Sequence, residues 1–347
     1  MNFKLPVSCC LHQLRLVSLA LVLALISLAG CGHDSAGCRP DAASNAEPVP
    51  FRLQRLEKLF LALRRPADVQ RLLNQSPLFA RLYLQRRGGA ADTALTRGLA
   101  QMAGNADLQK LGQQTLAAFP DSAALRHSFG EAFRRVHYYF PDFKPPLTTT
   151  YISGLLGKDV FVNDSLLVVS LDYFAGSKAS FRPDLPGYML RRYRPAFIMP
   201  TVTLRISDKY NRHELTANTM LDAIIHSGKA LYFASQVLPC TADTLLLGYT
   251  SKELTGVQFN EAKIWGHFLE QNLLYTTTPF LLQKYVGERP NVPEIDRTCP
   301  GRIGQWVGLQ IVRRYMAEHP AVTLARLMAE KDAQRLLNES HYRPRKQ

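Results

Sequence analysis

Three kinds of side chain are spaced in this sequence so that they could do chemistry: a cysteine behind small apolar residues, a histidine–glutamate pair, and two carboxylates that bracket a histidine. Cys31 closes the run Leu28-Ala29-Gly30-Cys31. A thiol directly after a small residue, at the end of an apolar stretch, is the acceptor for a diacylglycerol, and cleavage ahead of it makes it the first mature residue. His213-Glu214 begins HExxH, the spacing that aims two imidazoles from one helix face at a zinc ion while the glutamate activates its water. The motif fails, because Ala217 stands where the second histidine must be. His226 is followed by Ser227, Gly228, Lys229 and Ala230, and a lysine beside that histidine repels a cation. In NEAKIWGHFLEQ, Glu261, His267 and Glu270 interrupt an apolar pattern. His267 and Glu270 are three apart and share a helix face, which suits either a metal or a hydrogen-bonded core pair, and the structural pair is the reading adopted. Buried carboxylates need partners, and Arg302, in a glycine-rich helix start, is the candidate ion-pair partner. GxSxG, Walker A and GxGxxG patterns are absent, so no catalytic residue, metal or cofactor is expected.

The leader that delivers Cys31 carries Lys4 and Arg15 and then the apolar run from Leu16 to Ala29. That run is about 14 residues, short of the roughly 20 a spanning helix needs, so it suits export and removal better than a permanent span. Two acyl chains suffice to hold a protein on a bilayer, at about 0.8 kcal/mol per buried methylene. The alternative is an ordinary cleaved signal with Cys31 in a disulfide.

The mature chain of roughly 317 residues is long enough for one large domain or two small ones. Its 46% hydrophobic and 20% charged content is ordinary for a globular core. The formal charge is +14, two of which leave with the leader. A basic surface suits anionic lipid or an acidic partner, and export argues against nucleic acid. The arginines of RRYRP and RRVHYYF read as snorkelling side chains on amphipathic helices. Of six cysteines, Cys38, Cys240 and Cys299 remain after the leader and the lipid site. Cys240 and Cys299 sit in loop-like contexts and form the expected disulfide, with three unpaired thiols as the alternative.

Stepping outward, residues 1–30 are the signal peptide and residues 31–50 a small, polar, proline-bearing tether that needs no structure of its own. Residues 51–146 repeat apolar positions at helical spacing, cut by Pro66, Pro77, Gly88-Gly89, Gly104-Asn105 and Pro120-Asp121 into short amphipathic helices, the last capped by Asp121 or Ser122. Residues 147–347 begin with β-branched runs from Thr148 and Asp164, which predict two or three strands, and return to helices from about Glu214. The two parts are expected to pack as one domain. The fold class is mainly α (α+β), a helical array with a small β-hairpin or sheet.

Four runs carry a resemblance. MLDAIIHSGKALYF from Met220, GYT at Gly248 to Thr250, NEAKIWGHFLEQNLLY from Asn260 and PGRIGQWVGLQIVRRYM from Pro300 together resemble the gliding-motility lipoprotein family GldB of Bacteroidota, over about Lys158 to Tyr342. That family in turn looks like a degenerate relative of zinc peptidases, in which a HExxH helix precedes a helix carrying Glu-Gly-Leu-Ala-Glu-Tyr-Phe. Here the second helix reads HSGKALYF, with His226 where the acid would be, and PAFIMPTVTLRISDKY upstream has no HExxH. The resemblance implies a zincin-like degenerate scaffold with a vestigial cleft near His226, Glu261, His267, Glu270 and Arg302. It further implies a non-catalytic envelope lipoprotein that supports gliding or type IX secretion by docking an envelope protein partner; the first tether residues carry only Asp34 and no acidic surface-export run, so the body is expected to face the periplasm. The rival readings are a metal-dependent hydrolase with an atypical site drawn from His213, Glu214, His226, Glu261, His267 and Glu270, and a purely structural envelope protein.

Overall fold

In a computed structural model the structure describes residues 41–212 and 218–344, so Cys31, Cys38, His213 and Glu214 lie outside the described residues. A four-stranded sheet of order β1-β2-β4-β3 divides the helices into two layers. Strands β2 (Leu147–Tyr151) and β4 (Leu166–Ser170) are its centre and run parallel. Thr148, Thr149 and Thr150 are buried completely, as a β-branched strand covered on both faces must be. Strand β3 (Val160–Val162) returns antiparallel to β4 as a hairpin and forms one edge. The other edge is β1 (Leu53–Arg55), parallel to β2 in the register Leu53 to Thr148. Helical spacing assigned residues 53–55 to a helix. Pairing with the threonine strand overrides that local pattern, because three residues hold too little propensity to resist a sheet edge.

The period of β4 sorts the two cores. Leu166 and Val168 face one cluster with Phe60, Leu73, Phe79 and Tyr151, whereas Leu167 and Val169 face the other with Phe133, Phe174, Phe233 and Trp306. On the first side lie α1 (Glu57–Leu61), α2 (Pro66–Gln75), α3 (Ala90–Gly104) and α4 (Ala106–Ala118); the second side begins with α5 (Ser122–Tyr139). The expected breaks fall in place: Pro66 is the first residue of α2, Asn105 caps α4 and Asp121 accepts from Ala123 N–H to cap α5. The stretch read as unstructured tether is fixed from Asp41 on. Residues Ala42–Asn45 make a 3-10 turn whose Asp41 and Ser44 side chains receive buried Arg135 at 2.9 and 2.7 Å. The Arg135 hydrogen bond pulls the Asp41 carboxyl down to about 2.

The second layer is built on two long helices. After α6 (Ile198–Ser207), α7 (Met220–Val237) starts at a capping box in which Thr219 and Asp222 satisfy each other's backbone N–H. It crosses α12 (Ile303–Glu318). The crossing is backbone against backbone: a Cβ on Gly308 would lie 2.0 Å from Ile224 O, and one on Gly228 would lie 2.3 Å from Gly308 C and O. Shorter helices surround this pair: α8 (Asp243–Leu247), α9 (Ser251–Phe259), α10 (Glu261–Glu270), α11 (Pro279–Tyr285), α13 (Leu324–Ala329) and α14 (Ala333–Ser340). No helix among the described residues is long and apolar enough to cross a membrane.

The expected Cys240–Cys299 bridge is not formed. Cys240 is disulfide-bonded, but Cys299 is a free, buried thiol that donates weakly to Pro300 O at 3.8 Å. Its loop folds inward, so the residue that looked like an exposed bridge partner is a small core side chain. Burial pushes the Cys299 thiol up to about 12. At pH 8 its alkylation by iodoacetamide should therefore be at least about a hundredfold slower than that of a free cysteine, with full reaction only after denaturation. Peptide mass spectrometry before and after guanidinium treatment checks this, and rapid labelling of native protein would contradict the burial.

Candidate functional site

Among the described residues, the acids and histidines singled out in the sequence do not gather into one site. Glu261 accepts from Tyr342 Oη at 2.8 Å, His267 Nε2 lies 2.8 Å from Tyr285 Oη, and Glu270 is exposed on the next turn. Burial lowers the His267 pKa, with Lys284 adding to the effect, so its imidazole is a neutral partner for tyrosine. The suggested pairing of Arg302 with Glu261 or Glu270 is replaced by one with Glu288, whose Oε1 is 3.7 Å from Arg302 Nε. Helix α10 bonds instead to Tyr285 and to the C-terminal Tyr342, which the one-dimensional pattern does not reveal. His226 is half-buried on α7, where its carbonyl accepts from Asn211 Nδ2 at 2.8 Å. Lys229, one turn on, does not face a metal site but reaches the carbonyls of Met328 and Glu330. Among the described residues no group of three or more His, Cys, Asp or Glu side chains is placed to hold a metal ion.

A concave site lies elsewhere, between the β3 edge and α6. Cavities of about 620 and 360 Å³ share Asp159, Arg205 and Asp208 and so form one cleft. Of the vestigial-site residues named from sequence, Arg302 lines it. Asp159, at the entrance to β3, is held twice: Oδ1 accepts from Val160 N–H at 2.7 Å and Oδ2 from Tyr193 Oη at 3.1 Å. Asp208, just past the end of α6, is exposed at the cleft; desolvation raises its pKa, against the opposing charge of Arg205.

Deeper in the cleft is a layer of arginines. Arg192 meets Glu288 Oε1 at 2.8 Å, the same oxygen that Arg302 approaches, and Arg191 meets Glu253 at 2.8 Å. RRYRP thus points inward to acids, and the snorkelling reading is corrected: two of its arginines form ion pairs and Tyr193 bonds Asp159. Arg302 sits at the cap of α12 with φ 60° and donates to Leu247 O. Gly248 makes room for both guanidiniums, since a Cβ there would fall 2.4 Å from Arg192 Cδ and 2.9 Å from an Arg302 nitrogen. Tyr249 Oη donates to Gly301 O at 2.9 Å, and Thr250 caps α9 through Glu253, the acid that holds Arg191. The GYT and PGR runs therefore build the floor of the cleft.

Sequence reasoning missed Asp159, Arg205, Asp208 and Glu288. The signal available for the floor was the RRYRP cluster beside prolines, too many arginines for a short helix to turn outward. For Asp208 and Arg205 no local pattern exists, because the strand edge opposite makes them a site. A family model for GldB lipoproteins, described as gliding motility protein GldB, matches residues 38–344. No curated protein and no solved structure matches the chain.

Proposed function

We propose, for a chain that belongs to the gliding motility protein GldB family, a lipid-anchored envelope subunit that works by binding a protein partner and not by catalysis. Cys31 supplies the anchor and the body beyond residue 40 supplies the binding surface, on the periplasmic side of the membrane that holds the lipid. The observation that carries this reading is how two acids of the cleft, Asp159 and Glu288, are used. Asp159 is bonded through both oxygens, and Glu288 Oε1 lies against two arginines. Carboxylates so committed are poor candidates for metal ligation or proton transfer, which need an accessible lone pair. What the cleft offers a ligand is charge and backbone.

In the gliding cell that makes the protein, Cys31→Ser should release it from the membrane fraction and reproduce the spreading defect of a deletion. Alanine at His213, Glu214 or His226 should leave spreading unchanged. Loss of spreading in those alanine variants, with the protein folded and at normal abundance, would refute the non-catalytic reading.

A further inference from the structure

The hydrogen-bond phase of β3 leaves a usable edge. Asn163 N–H donates to Leu166 O and Ser170 N–H to Asp159 O, each at 2.9 Å, in the register that sets Phe161 opposite Val168. In an antiparallel pair the bonding residues alternate, so Asp159, Phe161 and Asn163 face β4 while Val160 and Val162 turn their peptide groups away from the sheet. Val160 N–H is taken by Asp159 Oδ1 at 2.7 Å. Val160 C=O and both groups of Val162 lie on the side of β3 away from β4, and β3 and the end of α6 line the larger cavity, with Val160 buried and Val162 half-buried.

The walls of that cavity are basic, five residues to three acids. Lys209 is paired with Asp164 at 2.5 Å and Arg205 offsets Asp208, whereas exposed Lys144, Lys158 and Arg212 form no ion pair among the described residues. Edge strands that must stay unpaired are commonly guarded by charge or proline, but the charges here lie around the groove and not on the apolar edge residues Val160 to Val162. A groove of this form fits an extended chain whose backbone completes the ladder and whose acids meet the rim.

We propose that the β3 edge receives an extended acidic peptide segment of a partner protein as a fifth strand of the sheet. This deepens the binding reading above and rests on it. It names the partner by chemistry: an unfolded or loop segment with alternating acidic side chains, aligned by three backbone groups and selected by Lys144, Lys158 and Arg212.

The test uses the full mature chain in detergent and a fluorescein-labelled peptide of alternating glutamate and valine, followed by fluorescence anisotropy. The acidic peptide should bind at least about tenfold tighter than its lysine–valine counterpart, and more weakly as salt screens the rim. Methylating alternate peptide nitrogens, which removes the ladder donors and keeps the charge, should weaken binding by about tenfold or more. Val162→Pro should do the same, since it deletes an outward N–H and leaves the bonds to β4 intact. Lys144→Glu with Lys158→Glu should reverse the preference for acid over base. Equal binding of both peptides, no binding, or insensitivity to N-methylation would overturn the proposal. The N-methyl comparison uses the unaltered protein, so it decides even if Val162→Pro fails to fold. None of these outcomes touches the spreading experiment, in which the broader binding role stands or falls separately.

Discussion

Gly308→Ala should destabilise the protein by about 3 kcal/mol or more and lower its melting temperature by several degrees. A glycine in a helix interior is ordinarily a weakness, and replacing it with alanine gains up to about 1 kcal/mol of helix propensity. At Gly308 that gain is outweighed, because the new Cβ would lie 2.0 Å from Ile224 O and 2.8 Å from Ile224 C. The atoms in the way are the backbone of α7, so no side chain can rotate aside; the two helices must separate, and the apolar side chains packed along them lose contact. Gly228→Ala should behave alike, since its Cβ would meet Gly308 backbone atoms at 2.3 Å. Gly98, inside α3 with nothing within 4 Å of its would-be Cβ, is the control. Gly98→Ala should leave stability unchanged or raise it by up to about 1 kcal/mol. Thermal unfolding followed by circular dichroism separates these cases, and a Gly308→Ala protein as stable as the parent would show that the helices do not cross at backbone distance.

These glycines also show what could be read in the sequence and what could not. HSGKALYF and GRIGQWVGLQIVRRYM carried the family resemblance, yet nothing in either run says that Gly228 of one lies on Gly308 of the other; contact between helices is decided by the whole fold. Local grammar was read only in part: Asp121 was named as a cap, whereas the helix expected from Glu214 starts at Met220 and the Thr219 and Thr250 caps went unread. Asp121, Thr219 with Asp222, and Thr250 with Glu253 cap helices through atoms at most three residues away, which a linear reading can see. The strand runs at Leu147 and Leu166 were legible because β-branched residues cluster there, and β1 was not, because its pairing partner lies far along the chain. The cleft was legible only through Arg302. Its other charged residues come from the start of a strand, the end of a helix and a loop, and they share a site because a three-residue edge strand faces α6. His267 and Glu261 called for an explanation as a histidine and an acid on an apolar helix, and tyrosine hydroxyls supply it.

Lys229→Met and Lys229→Ala should part company, and pH should reveal why. The Lys229 side chain is buried, with Nζ donating to Met328 O at 3.1 Å and to Glu330 O at 2.5 Å. These carbonyls end α13, where a helix leaves its last acceptors unsatisfied and its dipole favours a cation. Burial nevertheless pulls the ammonium down to about 8 from 10.5, with the Glu330 charge opposing. Below about pH 8 the folded protein keeps the proton at a cost of about 3 kcal/mol; between there and 10.5 the unfolded chain holds more protons, so stability from this group rises with pH. Methionine removes that cost and leaves two carbonyls without donors, at roughly 1–3 kcal/mol each, so at neutral pH it should be nearly neutral or modestly destabilising. Alanine also forfeits the packed stem, at about 0.8 kcal/mol per methylene, and should be less stable than methionine by about 2 kcal/mol. As pH rises from 8 to 10.5 the parent should gain on Lys229→Met by up to about 3 kcal/mol, because methionine has no proton to lose. Urea unfolding of the three proteins across that interval measures the difference directly. A gap between parent and Lys229→Met that stays constant with pH would mean that the lysine is solvated and that its hold on the end of α13 is incidental.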